Sequence, residues 1–232
     1  MIERLLPPGA VAAELFGDEP TGLFPAEEAA IARAVGKRRR EFTSVRACAR
    51  RALAQLGEPP APLVPGERGA PQWPEGIVGS MTHCDGYRAC VLARSADFVS
   101  IGLDAEPNLP LPDGVDRMVC LPEEQDHVAE LAQRSPSVCW DRLLFCAKEA
   151  VYKAWFPVTR TWLGFESARI EFADSGTFTA RILIEAPIAG FTGRWLNEDA
   201  HIVTLITNAG ALCKTASRVQ APAGSAQAIG QR

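Results

Sequence analysis

Histidine is scarce in this chain: His83, His127 and His201 are the only three in 232 residues, and no two stand at metal-ligand spacing. The seven cysteines are odd in number, scattered and never spaced C-x-x-C, which excludes a disulfide framework and a zinc knuckle and leaves most as small buried hydrophobes. No apolar run approaches the ~18 residues of a membrane span. The N-terminal stretch MIERLLPPGAVAAELFG carries an acid and a base early and lacks an A-x-A-like cleavage site, so the chain reads as cytoplasmic. Basic excess is missing too. With 24 Lys and Arg against 28 Asp and Glu, the net charge of −4 argues against a protein that wraps nucleic acid. A metal here must be held by carboxylates, and any anion site must be local.

What is present is an ordinary globular composition, 47% hydrophobic, 22% charged and 7% aromatic. At ~150 residues per domain the length suits one large domain or two small, tightly joined ones. Apolar residues at three- and four-residue steps (Phe42, Val45, Ala49, Ala52, Leu53, Leu56) predict a helix over 26–56, stopped by Gly57. A proline-rich loop follows. IVGSMTH and YRACVLAR, joined at Asp85-Gly86, predict a hairpin, with FVSIGLDAE as a third strand. A second helix is predicted over 140–156. Behind it ARIEFAD, TARILIE, TGRWL and HIVTLIT read as antiparallel strands, turning at Ser175-Gly176 and Asn197-Glu198-Asp199. The expected class is α+β: two similar halves, 1–107 and 108–214, each a helix on a small antiparallel sheet, with a disordered tail over 215–232. A cleft between halves is the natural site.

Asp104 and Glu106 end a strand two residues apart, so both carboxylates take the same face. They repel unless a cation lies between them, and hard oxygen donors point to Mg2+ or Mn2+; the alternative is a solvated strand end before Pro107. Glu149 and Lys153 share a helix face as an (i, i+4) pair, which by itself is an ordinary surface contact worth ~0.2–0.5 kcal/mol. Beside the other acids, Glu149 completes a metal site and Lys153 could meet a phosphate. Within Lys37-Arg38-Arg39-Arg40, the helical angle puts Arg38 on the line of Val45, so it needs an internal carboxylate or an anionic ligand, while Arg46 flanks the stripe. Arg68, in the Gly-flanked loop GERGA, is either a phosphate contact or a solvated turn residue. His83, beside Thr82, could donate to a phosphate or satisfy a backbone carbonyl. Together these residues suggest a large phosphorylated ligand bound with a divalent ion.

Three segments, GSMTHCDGYR (79–88), IGLDAEP (101–107) and WDRLLFCAKEAVYKAWFP (140–157), together resemble the 4'-phosphopantetheinyl transferases of the Sfp-like group. The G-x-D-x-E strand and K-E-A-x-x-K helix are that family's signature pair, and W-P-x-G-x-x-G-S-x-T-H is similar to its bacterial enterobactin-type branch. The resemblance spans about residues 25–210 and implies a pseudo-twofold fold with coenzyme A between the halves. It implies that Asp104, Glu106 and Glu149, with the Ala105 carbonyl, hold the metal. Arg38, Arg46, the loop from Pro65 through Gly66 and Glu67 to Arg68, Thr82 and His83 match positions at the adenosine and 3'-phosphate end. Lys153, Lys148 and Leu163 match positions at the pyrophosphate and pantetheine side. Where close relatives often have lysine, this chain has Pro65.

The expectation is therefore transfer of the phosphopantetheine arm of coenzyme A to a serine of apo acyl or peptidyl carrier proteins, giving 3',5'-ADP, in support of fatty-acid, polyketide, nonribosomal peptide or siderophore synthesis. Glu149 acts as base, with Lys153 and Asp104 beside it. No nucleic acid or membrane partner is expected, a monomer suffices, and the segment 108–139 is the expected carrier surface. A Mg2+-dependent pyrophosphate hydrolase acting on coenzyme A, or a non-catalytic protein binding coenzyme A or a carrier, are the rival readings.

Overall fold

The computed structural model describes residues 1–209, so the tail expected over 215–232 lies outside the described residues. The hairpin and the third strand form as the alternation predicts: β2 (Ile77–Cys84) and β3 (Tyr87–Arg94) turn at Gly86, whose φ of 77° suits glycine, and β4 (Phe98–Pro107) follows. Ahead of them lie β1 (Ala10–Phe16), α1 (Pro25–Ala30) and α2 (Gly36–Gln55). Thus the helix expected over 26–56 is two helices, broken between Ile31 and Val35. The segment AVAAELF carries weak strand propensity because of its alanines, and it becomes a strand by pairing with β3, Ala13 opposite Cys90.

Next come α3 (Asp116–Val119), α4 (Pro122–Arg134) and α5 (Trp140–Thr159), followed by β5 (Ala168–Ala173), β6 (Thr177–Ile182), β7 (Gly190–Glu198) and β8 (His201–Ala209). α4 was not legible as a helix in the linking segment 108–139. α5 runs through Pro157 to a left-handed Arg160, beyond the end expected at 156. Proline there removes the bond that an amide would donate to the Lys153 carbonyl, one turn back. The β7–β8 reversal sits at Asp199 and Ala200, both with positive φ. Among the described residues no helix is long and apolar enough to cross a membrane.

Two antiparallel sheets result, β1-β3-β2 and β4-β8-β7-β6-β5. The third strand, read with the N-terminal half, hydrogen-bonds to β8 instead, with Asp104 opposite Thr204 and Glu106 opposite Ile202. Its residues alternate between two environments. Ile101, Leu103 and Ala105 pack with Tyr87, Ala89, Val91, Val203 and Leu205 between the sheets. Gly102, Asp104 and Glu106 take the opposite face, towards α5, whose Ala147, Ala150, Val151 and Ala154 cover Ile202 and Ile206. On the other side, Cys48, Ala49, Ala52 and Leu53 of α2 cover Cys90 and Leu92.

β4 is an edge strand of its sheet, and unpaired edge amides must find partners. β2 supplies them through alternate hydroxyls: the Leu103 N–H donates to Ser80 Oγ at 3.0 Å and the Ala105 N–H to Thr82 Oγ1 at 3.2 Å. This hydroxyl seam joins the two sheets beside the acids. On the other face, Gly102 lets the backbones of β4 and α5 meet: a Cβ built there would lie 1.9 Å from the Ala150 carbonyl oxygen.

Candidate active site

The close approach at Gly102 brings the α5 face carrying Glu149 and Lys153 onto the β4 face carrying Asp104. Lys153 Nζ donates to Asp104 Oδ1 at 2.7 Å and to the Leu103 carbonyl at 3.0 Å. Thr82 Oγ1 donates to the same Asp104 oxygen at 3.1 Å. Asp104 Oδ2 is buried and has no hydrogen-bond partner among the described residues. Burial alone would lower the Lys153 ammonium, but the charge and hydrogen bond of Asp104, with Glu149 behind, hold it above its usual range. Burial and the Asp104 charge raise the Glu149 carboxyl, with Lys153 opposing them. Glu106 is raised by the same two causes, against the pull of Arg142.

Glu149 and Lys153 lie at one wall of a cavity of about 760 Å3, which Tyr152, Phe156, strand β2 and the loop from Gly66 to Trp73 complete. Gly66 and Glu67 line it as expected, and so does Arg68, at a positive φ with its guanidinium 5.3 Å from the exposed Trp162 ring. The loop is tied by Gly66 N–H to the Ala70 carbonyl at 2.7 Å, and Pro65 bridges to Pro71 across its base.

Arg38 and His83 meet, but not as the helical angle suggested. Arg38 stands in the first turn of α2, beyond the stripe that covers the sheet, and is exposed. Its NH1 donates to His83 Nε2 at 2.7 Å, and Glu41 lies 3.4 Å from the same nitrogen. Burial first, then Arg38, Lys153 and Arg88, push the imidazole down to about 4, so it is neutral at pH 7 and its Nε2 accepts. The exposed guanidinium thus sits on a neutral ring and stays available to an anion.

Four expected ligand positions are already occupied within the protein. Arg46 is buried, its Nε on the Leu63 carbonyl, with Glu27 3.8 Å away and the guanidinium stacked 3.1 Å over Phe42. Lys148 is buried with all three donors used, on Glu124 and the Val119 carbonyl at 2.7 Å each and on the Phe165 carbonyl at 3.0 Å. Leu163 packs into the core under α5. The Thr82 hydroxyl is taken by Asp104 and Ala105. None of the four lines the cavity: Arg46, Thr82 and Lys148 each bond to an element distant in sequence, and Leu163 is buried in the core.

Among the described residues no group of three or more His, Cys, Asp or Glu side chains stands at metal-holding spacing, since Glu106 turns to Arg142 NH1 at 2.9 Å. The donor set nevertheless fits a hard divalent cation. Asp104 offers an orphaned, buried oxygen, and burial first, then the Asp104 charge, raise both Glu106 and Glu149, as a cluster of hard oxygen donors beside it would require.

Two family models match the chain: the 4'-phosphopantetheinyl transferase N-terminal domain over residues 26–93, and the 4'-phosphopantetheinyl transferase superfamily over residues 100–206. The chain belongs to the 4'-phosphopantetheinyl transferase superfamily. It is 52% identical to the 4'-phosphopantetheinyl transferase Svp of Streptomyces mobaraensis, over 98% of this chain and 92% of that protein. It is 51% identical to the transferase Npt of Nocardia iowensis, over 90% of this chain and the whole of that protein. Enterobactin synthase component D of Salmonella typhimurium is further off, at 28% identity over 83% of this chain and 80% of its own length. The boundary between the two transferase models falls between β3 and β4, where the strand pairing also changes sheet.

Sequence reasoning missed Arg142, whose guanidinium fastens Glu106 and the loop behind it. The signal was there: Arg142 precedes Glu149 by two helical turns and so shares its face. It also missed Tyr152 as a cavity residue, its hydroxyl buried and without a partner among the described residues.

Proposed function

We propose that this chain transfers the 4'-phosphopantetheine arm of coenzyme A to a serine of apo acyl or peptidyl carrier proteins, releasing 3',5'-ADP. The observation that carries the proposal is the pairing of Lys153 with Asp104 while Lys153 and Glu149 line the large cavity, in a chain of this superfamily. Asp104, Glu149 and Glu106, with the Ala105 carbonyl, are the groups that would hold Mg2+ or Mn2+. When bound, the cation neutralises pyrophosphate charge.

The residues divide the remaining work. Glu149, made more basic than an ordinary carboxylate by burial and by Asp104, takes the proton of the carrier serine. The serine oxygen attacks the β-phosphorus, the bond from that phosphorus to the bridging oxygen breaks, and 3',5'-ADP leaves. Lys153, kept charged by Asp104, faces the charge that develops on the departing phosphate. Arg38 and Arg68 are the exposed cations for the 3'-phosphate end, and neither needs to break an internal ion pair. The chain acts in the cytoplasm as a monomer. Its place in fatty-acid, polyketide, nonribosomal peptide or siderophore synthesis is set by which carriers it accepts.

The experiment is 3',5'-ADP release from coenzyme A and Mg2+ with an apo carrier, beside the same carrier with its target serine replaced by alanine. Release with the first and none with the second is expected. Equal release without an acceptor serine would replace this reading with that of a pyrophosphate hydrolase.

A further inference from the structure

Arg142 opens the catalytic helix two turns before Glu149. All three of its guanidinium nitrogens bond the end of β4 and the segment after it: NH1 on Glu106 Oε2 at 2.9 Å, Nε on the Leu109 carbonyl at 2.9 Å and NH2 on the Pro110 carbonyl at 2.8 Å. The pair is mostly buried, with side-chain exposures of 16% for Arg142 and 21% for Glu106. Along the seam between α5 and β4, Asp104, Glu106 and Glu149 therefore face two built-in cations, Lys153 and Arg142. Three negative charges against two positive leave a single net negative charge for an incoming cation.

We propose that Arg142 is a resident competitor for Glu106: by holding that carboxylate as its own counter-ion, it sets how tightly the acid cluster takes a divalent cation. The proposal rests on reading Asp104 and Glu149 as cation ligands. Arg142 is a positioning residue and does not itself touch the reacting atoms. Its fork geometry matters, because one guanidinium fixes both the carboxylate and the two loop carbonyls, whereas a lysine could offer charge without that planar set. Removing the charge frees Glu106 and doubles the net negative charge of the seam, so the cluster binds a divalent cation more tightly and gives it up less readily.

The test is Mn2+ affinity of the full chain, read from the electron paramagnetic resonance signal of free Mn2+, in wild type, Arg142→Gln, Glu106→Gln and the double variant. Arg142→Gln is expected to tighten Mn2+ roughly tenfold, within the coupling range of groups in one ion-pair network. In the Glu106→Gln background, where no carboxylate is released and only the charge of the seam changes, the same change is expected to tighten Mn2+ by far less. Unchanged or weakened binding in Arg142→Gln, or equal tightening in both backgrounds, would overturn the proposal. Arg142→Lys, which keeps the charge but loses the planar fork, is expected to bind Mn2+ with an affinity between wild type and Arg142→Gln; binding tighter than in Arg142→Gln would count against a competitor role. Asp104→Asn separates the two levels. Loss of Mn2+ binding there upholds the carboxylate seat, while full binding would sink the seat itself, whatever Arg142 does.

Discussion

Replacing Gly102 by alanine tests the claim that the site exists because two backbones touch. The added Cβ would lie 1.9 Å from the Ala150 carbonyl oxygen, where ordinary contact begins at 3.4 Å, so α5 and β4 must part by about 1.5 Å (3.4 − 1.9). Overpacking of this kind costs about 1–3 kcal/mol, and the entropy removed from the unfolded chain returns ~0.4–1 of it, leaving a net loss of about 1–2 kcal/mol. With a urea m-value near the top of the ~1–3 kcal/mol/M range, the midpoint should fall by about half a molar. Activity should suffer more than stability. The displacement acts directly on the 2.7 Å contact between Lys153 and Asp104, and a shift of about 1 Å at reacting groups can cost ~10²-fold. The assays are urea unfolding followed by circular dichroism, and initial rates of carrier modification at saturating coenzyme A. A variant with the wild-type midpoint and wild-type rate would refute the reasoning.

Other outcomes follow from the same contacts. Arg38→Ala should raise the KM for coenzyme A more than that for the carrier, with little change in stability, since among the described residues the exposed guanidinium hydrogen-bonds the neutral His83 alone; an unchanged coenzyme A KM would make Arg38 a purely local support. Lys148→Met should destabilise the fold by about 3–5 kcal/mol, because it strands the buried Glu124 carboxylate, and pairing it with Glu124→Gln, which removes the charge but can still accept from the Ile170 or the Leu121 amide, should recover part of the loss in thermal unfolding. Between about pH 6.5 and 4 the unfolded chain binds a proton at His83 that the folded chain refuses. Stability is therefore expected to fall with acid across that window, and His83→Gln should flatten this part of the profile.

What could be read in the chain beforehand was what is local. Period two put Asp104 and Glu106 on one face, period 3.6 put Glu149 and Lys153 on another, and Asp85-Gly86 marked the hairpin. The partners of these elements were not legible. β1 has an alanine-rich sequence and exists because β3 offers it an edge. β4 looks continuous with β2 and β3, yet it pairs with β8, nearly a hundred residues later, and is tied back by the hydroxyls of Ser80 and Thr82 and by side-chain packing on β3. Arg46 and Lys148 entered as candidate ligand positions through the family resemblance, which carries no sign of the Glu27 and Glu124 that they meet in the fold. Arg38 failed the opposite way: the helical angle sent it inward, but helix α2 begins at Gly36 and leaves its first turn beyond the sheet.

The most direct measurement of the central claim is the intact mass of an apo carrier protein incubated with coenzyme A, Mg2+ and either the wild-type chain or Glu149→Gln, with EDTA as control. The account predicts a gain of one phosphopantetheine arm with the wild type, lost with EDTA, and no gain with a folded Glu149→Gln. Near-wild-type transfer by that variant, or no transfer by the wild type to any acyl or peptidyl carrier while coenzyme A is still bound or cleaved, would contradict it.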